Sequence, residues 1–342
     1  MENARKLLSV VIPYYNTPTE FCRRRLRSLE NLPREDVEVI VVNDGSRSDS
    51  WGAMLSLLQE FDFDVITFSK ENGGQNSARQ TGLDNATGQY VMFCDSDDYV
   101  EPVPLVEILE YLRSNEPPIL AFGFDRVKPD GTILDTCSPW PQGFGKGDLQ
   151  RLLLNSDSLC RQLYCLKRLR KLSFGLVQGV RIGEDTASAL SFLLTIGEAE
   201  TYGGVVYHYV QRGDSTLHRP PADSMLDIQR AFDEVLDRCP NGAMERRESV
   251  ECEAILHVLY WGGMRVVLNL GNDRKLKTNF FAWMDDRFPE WRNNRLALSV
   301  VKAGARRWDT VLIYRLIISG HWGLYSAYLS LRKNVKRVLK RH

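Results

Sequence analysis

The sequence has no CxxC pair. Its seven cysteines are an odd number, and the closest two are Cys160 and Cys165. That speaks against a disulfide framework or a cysteine zinc site and fits cysteines kept reduced. There is no surplus of positive charge either, since 44 basic residues meet 44 acidic ones. A general nucleic-acid binder, which needs a basic surface for phosphates, is therefore disfavoured. No internal repeat or low-complexity segment is present, which sets aside solenoids and compositional linkers. A long uncharged apolar run is also missing. The nearest approach, residues 310–331, contains Arg315 and His321 and is interrupted by Gly320 and Gly323. It reads as a buried or interfacial helix rather than a membrane span. Arg5 and Lys6 before LLSVVIPYY imitate an export signal, but the run is short, contains Pro13 and leads straight into a strand–helix pattern. Read as a first buried strand, it leaves the expectation of a cytoplasmic active site.

What is present suits one large domain with a helical extension: 342 residues, 43% hydrophobic and 26% charged. Apolar β-branched runs alternate with helical patterns through the first half. LSVVIP (8–13), VEVIVVND (37–44), DVITFS (64–69) and QYVMFCD (89–95) read as strands, and 19–31, 49–60, 76–86 and 101–114 as helices. Continuous apolar strands alternating with helices predict an α/β fold with a mostly parallel central sheet and helices on both faces. ILAFGFDRV and VVYHYV (205–210) add strands, and GEDTASALSFLL (183–194) is a loop entering a helix. From about residue 222 the pattern is helical. Pro220–Pro221 marks the expected boundary between a nucleotide-binding catalytic domain (1–220) and a helical C-terminal region (221–342).

Such sheets bind ligands outside the carboxyl ends of their strands, and that edge is where this sequence turns polar. The four residues Asp95–Ser96–Asp97–Asp98 follow the fourth strand directly. Carboxylates this close repel one another unless a cation intervenes. A divalent ion such as Mg²⁺ or Mn²⁺, bound partly by substrate phosphates, answers that repulsion. The same residues also make an ordinary turn with a helix cap. Asp44, before Gly45, puts a carboxylate at the mouth of the sheet, able to accept an N–H from a base edge or simply to close a turn. In ENGGQNSARQTG, Gly73 and Gly74 precede a helix whose N-terminus suits phosphate, and Arg79 reaches a diphosphate, a base or solvent. Glu184–Asp185 at a helix start offers a general base or a helix cap.

Taken together and in order, SVVIPYYN, VIVVNDGS, ENGGQNSARQTGL and YVMFCDSDDYV resemble the family 2 glycosyltransferases of GT-A fold. The resemblance is strong over about residues 7–100 and continues weakly through GEDTA and YHYVQRGDST. It implies an inverting, metal-dependent transfer from a nucleotide-sugar donor, often a UDP-sugar, to a glycan or lipid-linked acceptor in cell-surface polysaccharide assembly. Pro13 and Tyr15 would shape the nucleotide pocket and Asp44 would contact the base. Asp95 would bind ribose or metal, Asp97 the metal, and Asp185 would be the catalytic base. Ser96 and Glu184 would lie against substrate and Arg79 and Arg212 near the diphosphate, while His208 would stand beside the metal or diphosphate or simply pack and hydrogen-bond within its strand. Gln80 stands where the family more often has Asn and is given no role. The residues alone also fit a retaining course. A non-catalytic nucleotide-sugar-binding scaffold is the competing reading, and the presence of Asp185 beside the metal carboxylates weighs against it.

Residues 222–342 match no motif. Trp261, Trp283, Trp291 and Trp308 suit core packing or an acceptor groove. The final stretch LRKNVKRVLKRH carries Arg332, Lys333, Lys336, Arg337, Lys340 and Arg341 without an acid. Leu331, Val335, Val338 and Leu339 share a helical stripe within it. A basic amphipathic helix of this kind suits an anionic membrane surface, here residues 331–342 on the inner face of the cell membrane, or a solvated tail.

Overall fold

The computed structural model of the chain describes residues 6–63, 65–155, 158–212, 222–239, 246–270, 273–304 and 309–339, with side chains as far as 332. The backbone divides into two compact units, Met1–Gly179 with Glu184–Gly213, and Val180–Gly183 with Asp214–His342. Pro220–Pro221 lies outside the described residues.

The first unit opens with β1 (Leu8–Tyr14), α1 (Thr19–Glu30), β2 (Val37–Asp44), α2 (Ser48–Leu58), β3 (Val65–Lys70), α3 (Gln75–Asn85) and β4 (Tyr90–Phe93). There follow β5 (Tyr99–Val100), α4 (Pro102–Leu112), β6 (Ile119–Val127), β7 (Ile133–Cys137), β8 (Phe144–Lys146) and α5 (Leu149–Leu153). The unit closes with β9 (Gln162–Cys165), α6 (Leu166–Leu169), α7 (Glu184–Ile196) and β10 (Glu200–Val210). The sheet runs β3-β2-β1-β4-β9-β6-β10-β5, with β7 on β6 and β8 on β10. β3, β2, β1 and β4 are parallel neighbours, with Val10 opposite Val39 on one side and Met92 on the other. Beyond β4 the sheet is mixed, because β9 runs antiparallel to both β4 and β6 while β6 and β10 are parallel.

Burial explains the order. Every residue of β1 is buried, as a central strand covered on both faces requires. β3 is exposed along much of its length, as at Ile66, and takes the edge. α1 buries Cys22, Arg25, Leu26 and Leu29, a single helical stripe. α3 comes unusually close to β1, because a Cβ on Gly82 would lie 2.3 Å from a Val11 methyl. Its buried face is partly polar, with Asn76 and Arg79 among Ala78, Gly82 and Leu83.

The second unit is helical over Asp227–Arg238, Arg247–Ala254, Gly262–Asn269, Arg274–Arg287, Leu296–Ala303, Thr310–Ile318 and Trp322–Leu339, with a π-helical stretch at Ile255–Trp261. Phe280, Met284, Trp291, Ile317 and Trp322 form part of its core. The apolar stretch 310–331 is two helices, broken where Gly320 takes a left-handed φ of 72°. Among the described residues no helix is long and apolar enough to cross a membrane. Of the four tryptophans singled out, Trp291 is core, Trp283 donates to Asp233 at 3.1 Å, and Trp261 is 45% exposed. Trp308 lies outside the described residues.

Candidate active site

All the strand-end residues picked from the sequence belong to the first unit. β2 delivers Asp44 to the carboxyl edge of the sheet, and Gly45 turns the chain with φ 70°. No side chain fits there, since a Cβ would stand 2.7 Å from the Asn72 amide nitrogen. Asp44 is nearly fully buried. Its carboxylate accepts from the backbone amides of Gly73 and Gly74 at 2.9 Å each and from Lys70 Nζ at 3.0 Å. It thereby fixes the glycine loop in front of α3. Pro13 is buried within β1, and Tyr15 just beyond it is 55% exposed. Tyr14, between them, is locked inside by hydrogen bonds from its hydroxyl to the Thr17 and Ser50 carbonyls.

β4 stops at Phe93, two residues earlier than the sequence pattern suggested, so Asp95 opens a tight turn in which the Asp98 amide donates to the Asp95 carbonyl at 3.1 Å. The acids of this turn have different surroundings. Asp95 accepts from Arg79 Nη2 at 2.5 Å and from Gln75 Nε2 at 2.7 Å. Asp97 is paired with Arg212 Nε at 3.0 Å, and burial first, then Asp95, push its carboxyl above the usual range. Asp98 is turned inward and 1% exposed, accepting from the Tyr207 hydroxyl at 2.6 Å and the Val210 amide at 2.7 Å. Burial followed by the charges of Asp97 and Asp95 raises its carboxyl strongly. Repulsion among the acids is thus relieved in part by protein partners, which the sequence did not reveal. Ser96 hydrogen-bonds the Thr17 hydroxyl through its own.

α3 joins this turn to α7. Arg79 is 1% exposed and spans from Asp95 to Glu184, 4.0 Å from Oε1 of the latter. Burial opposes its charge, but Asp95 and the further acids outweigh burial and hold it protonated. Asn76, one turn earlier, accepts from Arg79 Nη1 at 2.7 Å. Its amide donates to the carbonyls of Val177 and Glu184 at 3.0 Å each and to Ser188 Oγ at 3.1 Å. Gln80 Oε1 accepts from the Leu176 amide at 2.8 Å. The first turns of α3 therefore grip both the acidic turn and the N-terminus of α7, where Asp185 stands. Asp185 accepts from the Thr186 amide at 2.8 Å. Glu184 is pushed up to about 8 by burial and then by Asp185, against the pull of Arg79. Tyr209, raised to about 12 by burial and then by Asp98, Asp95, Asp97 and Asp185, shows that these acids share one electrostatic neighbourhood.

His208 is not brought to the metal-side carboxylates. Successive residues of a strand face opposite ways, so Tyr207 and Tyr209 look toward the acidic turn and His208 looks away. Its ring stacks on Tyr99 and lies 3.3 Å from Glu101 and 3.6 Å from Asp125. These are the contacts of a packed, hydrogen-bonded strand histidine, the second of the two readings of His208. Asn76, Gln75, Gln80 and Tyr207 are the participants the sequence reading missed. The signal was a polar buried face on α3 and a tyrosine one place from the histidine. A cavity of about 330 Å³, lined in part by Gln80, Leu83, Asp84, Phe174 and Phe192, includes none of the acidic-turn residues.

Among the described residues no three His, Cys, Asp or Glu side chains converge as ligands for a metal. Asp95 and Asp97 nonetheless fit an ion such as Mg²⁺ or Mn²⁺, which typically takes one or two carboxylates and completes its shell with phosphate oxygens and water.

Comparison with known proteins adds the following. Residues 9–167, just under half of the chain, match the model of Glycosyl transferase family 2. An uncharacterized glycosyltransferase of Bacillus subtilis, EpsJ, is 33% identical over 124 residues, covering 36% of this chain and 36% of that protein. Glycosyltransferase GlyA of Streptococcus pneumoniae is 38% identical over 94 residues, 28% of this chain and 13% of that protein. Hyaluronan synthase of Pasteurella multocida is 32% identical over 141 residues, 41% of this chain and 14% of that protein. The matched segments thus span a third or less of most of these relatives. Among solved structures, S. aureus TarS 1-349 in complex with UDP superposes with a TM-score of 0.64 at 15% identity, covering 92% of this chain and 91% of that one. The same protein in complex with UDP-GlcNAc gives 0.61 at 18% identity, covering 96% and 92%. At these identities the likeness is one of fold.

Proposed function

We propose, from the premise that this chain is a family 2 glycosyltransferase of GT-A fold, that it transfers a sugar with inversion from a UDP-sugar to an acceptor hydroxyl. The observation that carries the reading is the linkage through Arg79: one buried guanidinium joins the carboxylate at the donor side to the helix start that bears the candidate base. The UDP and UDP-GlcNAc bound by the TarS structures support a uridine donor. The hyaluronan and chondroitin synthases among the relatives support a role in polysaccharide assembly, with a glycan or lipid-linked acceptor.

Asp95 and Asp97 would hold a divalent ion together with the donor's diphosphate. Bound there, that ion would offset the negative charge that grows on the departing nucleoside diphosphate. The chain's own residues do the rest. Asp44 holds the glycine loop through Gly73 and Gly74, which supports a nucleotide diphosphate lying against the start of α3. Arg79 orients Asp95 through its hydrogen bond to that carboxylate. Arg212, now on Asp97, is near enough to exchange that carboxylate for a phosphate oxygen. Asp185 takes the proton from the acceptor hydroxyl, whose oxygen attacks the anomeric carbon as the bond to phosphate breaks. Glu184, pushed up to about 8 by burial and then by Asp185, is protonated near neutrality. Hydrolysis of an α-linked UDP-sugar, followed by proton NMR, tests the course: the β anomer should appear first, and first release of the α anomer would rule out a single displacement.

The basic segment 331–342 supports peripheral binding to an anionic membrane on its cytoplasmic side, where a lipid-linked acceptor would lie. Its side chains from 333 onward are outside the described residues. Deleting it should lower partition onto vesicles containing an anionic phospholipid. Unchanged partition would remove the idea.

A further inference from the structure

Arg25 is a buried charge that the scheme above does not use. It sits on α1 with no accessible surface, and among the described residues its three guanidinium nitrogens meet no carboxylate or other oxygen acceptor, only the Cys22 thiol. A guanidinium keeps its charge over the whole working pH range, and an unpaired buried ion is costly. Something must compensate it.

The turns on either side of Arg25 fix its place. Three residues earlier the Cys22 thiol reaches the Ser96 carbonyl at 3.8 Å. Three residues later the Ser28 hydroxyl accepts from the Val100 amide at 3.2 Å. Positions three apart share one face of a helix, so the Arg25 face of α1 runs along residues 96–100, and Arg25 lies behind Asp97, Asp98 and Tyr99. Its charge is felt by Cys22, Cys94 and Asp97, and also by Tyr14 on β1.

We propose that Arg25 is a resident counter-charge beneath the acidic turn, a positioning residue that eases approach of the donor's diphosphate and loosens the turn's hold on a divalent cation. The inference rests on the donor reading above. Its physical content is a pair of effects with opposite signs. Removing the buried positive charge leaves the turn more negative, which repels a diphosphate and attracts a cation. A variant that merely damaged the fold would weaken both.

The test uses the full chain with Arg25→Met and Arg25→Lys. UDP and uridine binding are measured by calorimetry in chelator, and Mn²⁺ binding without nucleotide by electron paramagnetic resonance. In Arg25→Met, UDP should bind more weakly and Mn²⁺ more tightly. Each change should be at least roughly fourfold, the effect of one unit charge on another at about 10 Å and an effective dielectric of about 40, and larger in so far as Mn²⁺ and the diphosphate carry more than one charge. Uridine should be unaffected, and Arg25→Lys should stay near wild type. Should Arg25→Met not fold by thermal unfolding, Arg25→Gln carries the same readouts. A folded neutral variant that weakens both ligands, or changes neither, overturns the proposal. If wild type binds neither UDP nor Mn²⁺, the donor reading fails and takes this inference with it. If wild type binds UDP and the neutral variant binds it equally, this inference alone fails.

Discussion

Asn76→Ala should damage catalysis and stability together, because the side chain it removes is the knot between the donor side and the base. The two N–H groups of its amide are shared among three acceptors at 3.0–3.1 Å, and its carbonyl accepts from Arg79 at 2.7 Å. The Glu184 carbonyl and the Ser188 hydroxyl bond each other as well, so they keep a partner. The Arg79 Nη1 and the Val177 carbonyl lose the bonds that Asn76 gave them. At about 1–3 kcal/mol for each buried group left short of a partner, the cost is about 2–6 kcal/mol. For a unit of this size that lowers the unfolding midpoint by about 4–24 °C. Loosening the start of α7 also misplaces Asp185, and displacements near 1 Å cost up to about a hundredfold in turnover. Thermal unfolding and steady-state transfer kinetics on one preparation test both effects. Turnover should fall about ten- to a hundredfold, with donor KM changed by less than about threefold. A lowered midpoint with unchanged kcat would refute the positioning argument. An unchanged midpoint would refute the hydrogen-bond reading itself.

Three further expectations follow from the same geometry. Asp185→Asn should cost about 10²–10⁴-fold in transfer while UDP binding persists; calorimetry showing lost UDP binding would mean the residue serves the donor. Glu184 gives stability a pH signature. Its folded value of about 8 lies above the ordinary one, so the folded state binds more protons between the two. Stability from this group is complete below about pH 4.5 and is lost as pH rises through about 8. Glu184→Gln should therefore flatten the fall in unfolding midpoint between pH 5 and 9, and parallel curves for variant and wild type would contradict the assignment. Tyr207→Phe removes the hydroxyl that donates to Asp98 and accepts from the Asp95 amide, so it should destabilise the chain by about 1–3 kcal/mol in denaturant unfolding. No change would show that the acidic turn holds its shape without it.

How much of this could be read beforehand depended on where the signal resides. β1, β2 and β4 were legible because their both-faces burial writes itself as unbroken apolar runs. The carboxyl-edge rule then led to Asp44 and the 95–98 turn without further help. β5 escaped because two residues carry no period, and it exists through pairing with Tyr207 and His208 far along the chain. The inward turn of Asp98 escaped for the same reason: its partners are Tyr207 and Val210. The two readings of His208 stayed open in the sequence because a strand alternates its faces, and one place in register separates a residue that meets the acidic turn from one that stacks on Tyr99. Asn76 carries no signal of its own in the sequence, since its role depends on Val177 and Glu184, about a hundred positions away. Within α3 the warning was present: a helix packed on a central strand through Gly82 buries the face that carries Asn76 and Arg79.

The central claim is that Asp95 and Asp97 hold the diphosphate end of a nucleotide-sugar with a divalent ion. A panel of nucleotide-sugars, incubated with the wild-type chain and with Asp97→Ala in Mn²⁺, in Mg²⁺ and in chelator, tests it most directly. The account predicts metal-dependent release of UDP from a UDP-sugar by the wild type and its loss in Asp97→Ala. Release that persists in chelator, or that Asp97→Ala leaves intact, would contradict it.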